Sequence, residues 1–230
     1  MEKISVIILT KNSQKYLIKC IDVIIMQKHP NFEIIVVDSN SKDHTLYILN
    51  LYNNSKGIIK VITNEKDISV GKARQIGIDN ATGEIIAFVD SDVELPHDHW
   101  LENMYKPFEE YPDIAGVQTL AKAKDSDPTI LKRIHGRFEY KDKVIGIDNY
   151  QPIGTSHLLI RKRILQNAGG IPDVFHGEDI VVMKKIMEQG YNFIYLKEEK
   201  CYHYHVDSYY SHIKRQLRGI KHQIKDRLFR

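Results

Sequence analysis

Ile85-Ile86-Ala87-Phe88-Val89-Asp90-Ser91-Asp92 joins an unbroken apolar run to a pair of carboxylates. A short apolar run with no polar alternation reads as a strand buried on both faces, the kind found inside a mostly parallel sheet. Asp90 and Asp92, at i and i+2 past its end, can both reach one divalent cation through hard oxygen ligands. Such a cation bridges phosphates and neutralises charge on a diphosphate leaving group. An Asp-x-Asp alone is a weak signal, because acidic pairs are common in loops. Its position after a central apolar strand makes it informative.

Further β-branched runs surround this one. Ile4–Thr10, Glu33–Asp38, Ile58–Thr63, Glu84–Asp90 and Ala115–Ala121 are the predicted strands of the first two-thirds. Segments near 13–26, 43–53, 70–80 and 97–111 carry apolar residues at helical spacing. Strands alternating with helices of this length predict βαβ units and an α/β fold, its mostly parallel sheet covered on both faces. In open sheets of this kind the ligand lies outside the carboxyl ends of the strands. Here those ends read Thr10-Lys11-Asn12, Asp38-Ser39-Asn40-Ser41 and Asp90-Ser91-Asp92. Any one of them is equally a loop start or a helix cap, as Ser41 or Asp43 is before the helix at 43–53. Three at one edge predict a site.

Gly71-Lys72-Ala73-Arg74-Gln75 opens the helix before the Asp-Ser-Asp strand. Lys72 and Arg74 there are either a solvated basic face or candidates to hold a diphosphate together with the helix dipole. Neither GxGxxG nor GxxxxGK(S/T) occurs, so the dinucleotide and P-loop fingerprints are missing. From Lys122 to Tyr150 the chain is polar with aromatic interruptions and reads as a helix plus an excursion. A second block follows: a strand at Ser156–Ile160, a turn at Gly169-Gly170, a helix over Ile180–Glu188, and strands near 192–196 and 200–205. Gly177-Glu178-Asp179 stands at that helix's start, where an acid either caps the helix or acts as general base toward an acceptor hydroxyl. His203 and His205 alternate on the last strand, so both imidazoles share a face. One of them is a candidate to complete a metal's coordination or contact phosphate.

Composition bounds the reading. The chain has 230 residues, 42% hydrophobic and 27% charged, ordinary for one globular domain and too apolar for disorder. Cys20 and Cys201 form no framework and no CxxC pair, so a reducing, cytoplasmic setting is expected. No apolar run approaches the roughly 20 residues that span a bilayer. Of 33 basic and 30 acidic residues, seven basic residues and one acid fall within 212–230, leaving a mildly acidic body and a basic tail. That asymmetry argues against a general nucleic-acid surface. Ile213, Leu217, Ile220, Ile224 and Leu228 form one apolar stripe at helical spacing in the tail. This basic C-terminal helix either packs on the body or lies on an anionic membrane, making peripheral contact near a lipid-linked acceptor.

The ordered set of motifs resembles glycosyltransferase family 2, inverting enzymes of the GT-A fold. It runs from Ser5-Val6-Ile7-Ile8-Leu9-Thr10-Lys11-Asn12 through Ile35-Val36-Val37-Asp38-Ser39-Asn40-Ser41, Ala73-Arg74-Gln75 and Gly77, and Ala81-Thr82-Gly83-Glu84. It continues through Phe88-Val89-Asp90-Ser91-Asp92 and Gly169-Gly170 to Gly177-Glu178-Asp179. The resemblance implies an NDP-sugar donor, UDP- or GDP-linked, contacted by Thr10, Asp38, Asp67, Lys72, Arg74, Asp90 and Ser91. It implies Mn2+ or Mg2+ on Asp90 and Asp92, with His203 or His205 added, and Asp179 as base beside Glu178. Gly154, Thr155, Ser156 and His157 would line the acceptor side. Residues 1–211 would form the catalytic domain, 1–121 its nucleotide-sugar half and 122–211 its acceptor half, with 212–230 as the appended helix. Leu9-Thr10 stands where many relatives have Pro-Thr. Gln216-Leu217-Arg218-Gly219 departs from the Gln-x-x-Arg-Trp of processive synthases, which favours transfer of a single sugar. Two rivals are a sugar-phosphate nucleotidyltransferase, which gives Glu178-Asp179 no task, and a non-catalytic sugar-nucleotide sensor.

Overall fold

Each β-branched run near the N-terminus becomes a strand because it can be covered on both faces. β1 (Ile4–Thr10), β2 (Phe32–Asp38), β3 (Ile59–Thr63) and β4 (Ile85–Val89) are parallel neighbours in the order β3-β2-β1-β4. The structure, a computed structural model, describes residues 1–124, 129, 132, 141 and 143–204, apart from the side chains at 53–56. Every residue of β4 is buried. Burying each Ile, Val or Phe side chain there is worth about 1.5–3 kcal/mol, which explains why the run tolerates no polar residue.

The crossovers are α1 (Leu17–Ile25), α2 (Thr45–Lys56) and α3 (Val70–Asn80). Helices α1, α2 and α4 (Trp100–Glu110) cover one face, with Leu17, Ile21, Ile24, Leu49 and Trp100 fully buried there. The opposite face is covered by α3, α5 (Lys162–Asn167) and α6 (Glu178–Glu188). Two layers of helix around one sheet is the architecture the alternating pattern predicts.

Beyond β4 the topology departs from simple alternation. β9 (His157–Arg161) pairs antiparallel with β4 on one side and with β6 (Gly116–Gln118) on the other. β10 (Phe193–Tyr195) then adds parallel to β6, and β8 (Val144–Ile145) closes the edge antiparallel to β10. The eight-stranded order is β3-β2-β1-β4-β9-β6-β10-β8, so strands from 122–211 interleave with those from 1–121. The single strand expected at Ala115–Ala121 is two. Thr119 donates its N–H to the His157 carbonyl, and the chain then leaves for β7 (Ala121–Lys122) in a separate sheet. That small sheet has the order β5-β11-β7, with β5 (Val93–Glu94) antiparallel to β11 (Cys201–His203).

Helix α1 starts later than the apolar spacing suggests, at Leu17, because the chain first turns through Asn12 at φ 51. Helix α2 is capped by neither expected residue at its N-cap position, which His44 occupies. Ser41 instead bonds back to Asp38, while Asp43 Oδ1 accepts the Thr45 N–H at 3.0 Å. Among the described residues no helix is long and apolar enough to cross a membrane. His205, the helix at 212–230 and most of the excursion expected between Lys122 and Tyr150 lie outside the described residues.

Candidate functional site

The carboxyl ends of β1 and β2 are built by local turns that need asparagine. Asn12 and Asn40 sit at φ 51 and φ 56, a left-handed conformation that Asn tolerates better than other side chains. Asn12 Oδ1 accepts the Lys42 N–H at 2.8 Å, and Asn12 donates its own N–H to Ser41 Oγ at 2.9 Å. The two strand ends are thereby stitched together. Beneath them, Asp38 is fully buried and accepts from Thr10 Oγ1 at 2.8 Å and from the Ser41 N–H at 2.9 Å. Thr10 and Ser39 face a cleft of about 790 Å³, whose walls also include Asp67, Ser69, Asp90, Ser91 and Asp92. Lys11 and Asp67 form an ion pair on this cleft. The Lys11 hydrogen bond holds the exposed Asp67 carboxyl below the usual range.

The Asp-Ser-Asp segment meets its imidazole through β5. Val93, immediately after Asp92, pairs with His203 on β11, and the Tyr204 N–H reaches the Asp92 carbonyl at 3.0 Å. His203 Nε2 consequently lies 3.0 Å from Asp92 Oδ1 and 3.8 Å from Asp90 Oδ2. One ligand atom from each of Asp90, Asp92 and His203 falls within 4.8 Å of the others. Two carboxylate oxygens and one imidazole nitrogen suit Mn2+ or Mg2+, with His as the borderline ligand that favours manganese. His203 is 7% exposed, whereas Asp90 and Asp92 are 30% and 26% exposed, so the imidazole forms the floor and the carboxylates open to the cleft. Ser91 Oγ bonds Ser13 Oγ at 2.9 Å, tying the loop to the end of β1. Underneath, burial followed by the charges of Asp92 and Asp90 pushes the Cys20 thiol up. It remains a neutral donor to the Asp90 carbonyl at 3.5 Å.

The acidic pair at the start of α6 divides. Gly177 takes φ 76 and lets the chain turn into the helix. Glu178 points inward and pairs with Arg74 of α3; their side chains are 5% and 7% exposed. Burial raises the Glu178 carboxyl above its ordinary range, with the Arg74 guanidinium acting against the shift. Arg74 also lies 3.8 Å from Asp90 Oδ1, and its buried Nε has no hydrogen-bond partner among the described residues. Asp179 is half-buried, with Oδ2 3.5 Å from Thr155 Oγ1 and facing Gly154. Ser156 is half-buried beside them. His157 is buried with its ring edge-on to His203 at 5.2 Å, so it lies behind the carboxylate cluster. Lys72 is exposed on α3 and does not line the cleft.

Several cleft residues carry no sequence signal. Tyr16 and Tyr204 stack at 5.0 Å with an interplanar angle of 12°, and both line the cleft. Glu94 accepts from Lys124 at 2.7 Å and from Lys19 at 2.8 Å. Burial alone would raise its carboxyl, but these lysines and the Tyr204 hydroxyl bring it down to about 2. Tyr204 belongs to a predicted strand whose other face carries the histidines, and only the end of β11 at His203 frees it to reach the cleft. A second groove of about 810 Å³, between α4 and the end of β10, contains none of the sequence-predicted residues.

An α/β sheet of this topology, with an Asp-Ser-Asp edge and a partner imidazole, has the GT-A architecture. The model of glycosyl transferase family 2 matches residues 5–168, and the chain belongs to that family. It is 33% identical to the glycosyltransferase GlyG of Streptococcus pneumoniae serotype 4 over 109 residues, covering 47% of this chain and 36% of that protein. Staphylococcus aureus TarS 1-349, solved with UDP-GlcNAc, superposes with a TM-score of 0.71 at 24% identity, over 86% of this chain and 57% of that one. The mannosyltransferase PcManGT of Pyrobaculum calidifontis, solved with GDP-Man and Mn2+, superposes with a TM-score of 0.75 at 21% identity. The match covers 91% of this chain and 59% of that one. The chain thus spans less than two-thirds of the length of each of these relatives.

Proposed function

We propose that the protein is a metal-dependent inverting glycosyltransferase that moves a single sugar from a nucleoside diphosphate donor to an acceptor hydroxyl. The observation that carries this reading is the Asp90, Asp92 and His203 cluster at the cleft, with ligand atoms within 4.8 Å of one another. When bound there, Mn2+ or Mg2+ supplies Lewis-acid stabilisation of the departing diphosphate. Asp90 and Asp92 present the oxygen ligands and His203 the nitrogen. Thr10, Ser39, Asp67 and Ser91 bound the space for the nucleoside and phosphates. Asp179 takes the proton from the acceptor hydroxyl as its oxygen attacks, and the Thr155 hydroxyl orients that carboxylate. Base and diphosphate on opposite sides of the sugar give one in-line displacement, hence inversion.

The donor is a UDP- or GDP-sugar, supported by TarS with UDP-GlcNAc and PcManGT with GDP-Man. The acceptor is a glycan or lipid-linked saccharide. Residues 1–211 form the catalytic domain, and the basic segment 212–230 either packs on it or makes peripheral contact with an anionic membrane.

The test is release of nucleoside diphosphate from a panel of UDP- and GDP-sugars with Mn2+. Asp92→Ala is expected to weaken Mn2+ binding by about 10²-fold or more and to abolish release. Retained release in that variant moves the metal site elsewhere, and release of pyrophosphate replaces sugar transfer with nucleotidyl transfer.

A further inference from the structure

The first turns of α3 touch the chain that leads to Asp179 at four places. Gln75 Oε1 accepts the Ile171 N–H at 2.8 Å. Gly71 donates its N–H to the Val174 carbonyl at 3.2 Å. Ser69, the N-cap residue of α3, donates its hydroxyl to Asp173. Arg74 pairs with Glu178. The approach is close enough that a Cβ on Gly71 would stand 1.9 Å from the Pro172 carbonyl oxygen. Gly170, at φ +72, takes a left-handed conformation beside the same helix, where a Cβ would lie 2.5 Å from the end of the Gln75 side chain.

A side chain that grips a diphosphate must present its N–H groups to the donor cleft. Arg74 does not line that cleft, although Val70 and Ala73 of the same helix do. Its side chain is 7% exposed and one end is committed to Glu178, itself 5% exposed. Glu178 could meet an acceptor hydroxyl only by leaving a buried guanidinium without its counter-charge, a costly separation. Asp179, one residue on, is half-buried and turned to Thr155.

We infer that the Ser69–Gln75 turn of α3 is a clamp for the segment 170–179, and that Arg74 and Glu178 are positioning residues within it. On this assignment Arg74 is not a donor-phosphate ligand and Glu178 is not a second base. The clamp fixes where the α6 start presents Asp179, and its 3.8 Å approach from Arg74 to Asp90 ties that position to the metal carboxylate. The inference rests on the proposed role of Asp179, and its primary readout needs neither donor turnover nor an acceptor.

Glu178→Ala would open a cavity and leave the buried guanidinium with no acceptor there, so the variants are Arg74→Lys and Glu178→Gln, which keep a donor and an acceptor in place while weakening the charge pair. Amide hydrogen exchange on the full chain is expected to quicken about tenfold across 171–181 in both, with β1 and β4 unchanged. Affinity for UDP and for GDP with Mn2+ stays within about twofold of wild type. With a donor that the wild type turns over, Glu178→Gln lowers kcat by about 10²-fold while donor KM holds. Unchanged exchange at 171–181, or nucleotide affinity reduced tenfold or more, overturns the clamp. Full transfer by Asp179→Asn would instead remove the base assignment and leave the exchange result standing.

Discussion

Asp38 and Asp90 close the two parallel strands that flank β1, with the same side chain in opposite environments. Asp38 is fully buried, with its oxygens taken by Thr10 and Ser41. Asp90 is 30% exposed at the cleft. In the sequence the two strand ends look alike, and what separates them is Ser41 folding back over Asp38, a contact set by the left-handed turn at Asn40. The expected roles of the pair Glu178-Asp179 separate for a similar reason, because only the partner 104 residues away shows which acid is buried. Asp38→Asn puts an amide donor against groups that already donate, with loss of a charged acceptor. It is expected to lower stability by about 2–3 kcal/mol, read as a fall in urea midpoint at constant m-value. A midpoint within error of wild type, with donor binding lost instead, would return Asp38 to the role of a direct nucleoside ligand.

At the scale of elements, the first four strands and the helices between them were legible because each carries its own periodicity. The devices that assemble the site do not. β5 is two residues long, and its pairing with β11 joins Asp92 to His203 across 111 positions. No local pattern marks so short a strand, so same-face spacing on the last strand left His203 and His205 as alternatives. The α3 turn is similarly cryptic: Gly71 looks like an ordinary helix start, yet its missing Cβ is what admits the Pro172 carbonyl. Gly71→Ala is expected to cost about 1–3 kcal/mol through overpacking against backbone, seen as a lower thermal midpoint. Gly57→Ala is a useful contrast, since φ +65 strains it while nothing lies within 4 Å of the added carbon. If both variants lose stability only to the extent that left-handed strain at Gly57 explains, the close approach at Gly71 has no energetic weight.

Across the whole molecule, the parallel half was readable and the interleaving was not. β9 enters antiparallel between β4 and β6, and nothing in its sequence distinguishes that placement from a strand in a separate layer. The opposite edge of the sheet from the cleft holds the start of β1 against β2 and the turn before β4 through one carboxylate. Glu33 accepts from Ser5 Oγ at 2.6 Å, from the Thr82 N–H at 2.7 Å and from Lys3 Nζ at 3.1 Å. Burial alone would raise its carboxyl, but these donors outweigh it and bring the value down to about 2. A carboxylate depressed in the folded state stabilises the fold above its unfolded value of about 4.3. Its contribution disappears as pH falls toward about 2. Unfolding free energy should therefore drop between those limits for the wild type. Glu33→Gln should be less stable near neutral pH and lose less across the same acid window, so that the two curves converge at its lower end. Parallel curves through that window would show that Glu33 is not depressed in the folded protein and that the three strands are held at this edge by their backbone ladder alone.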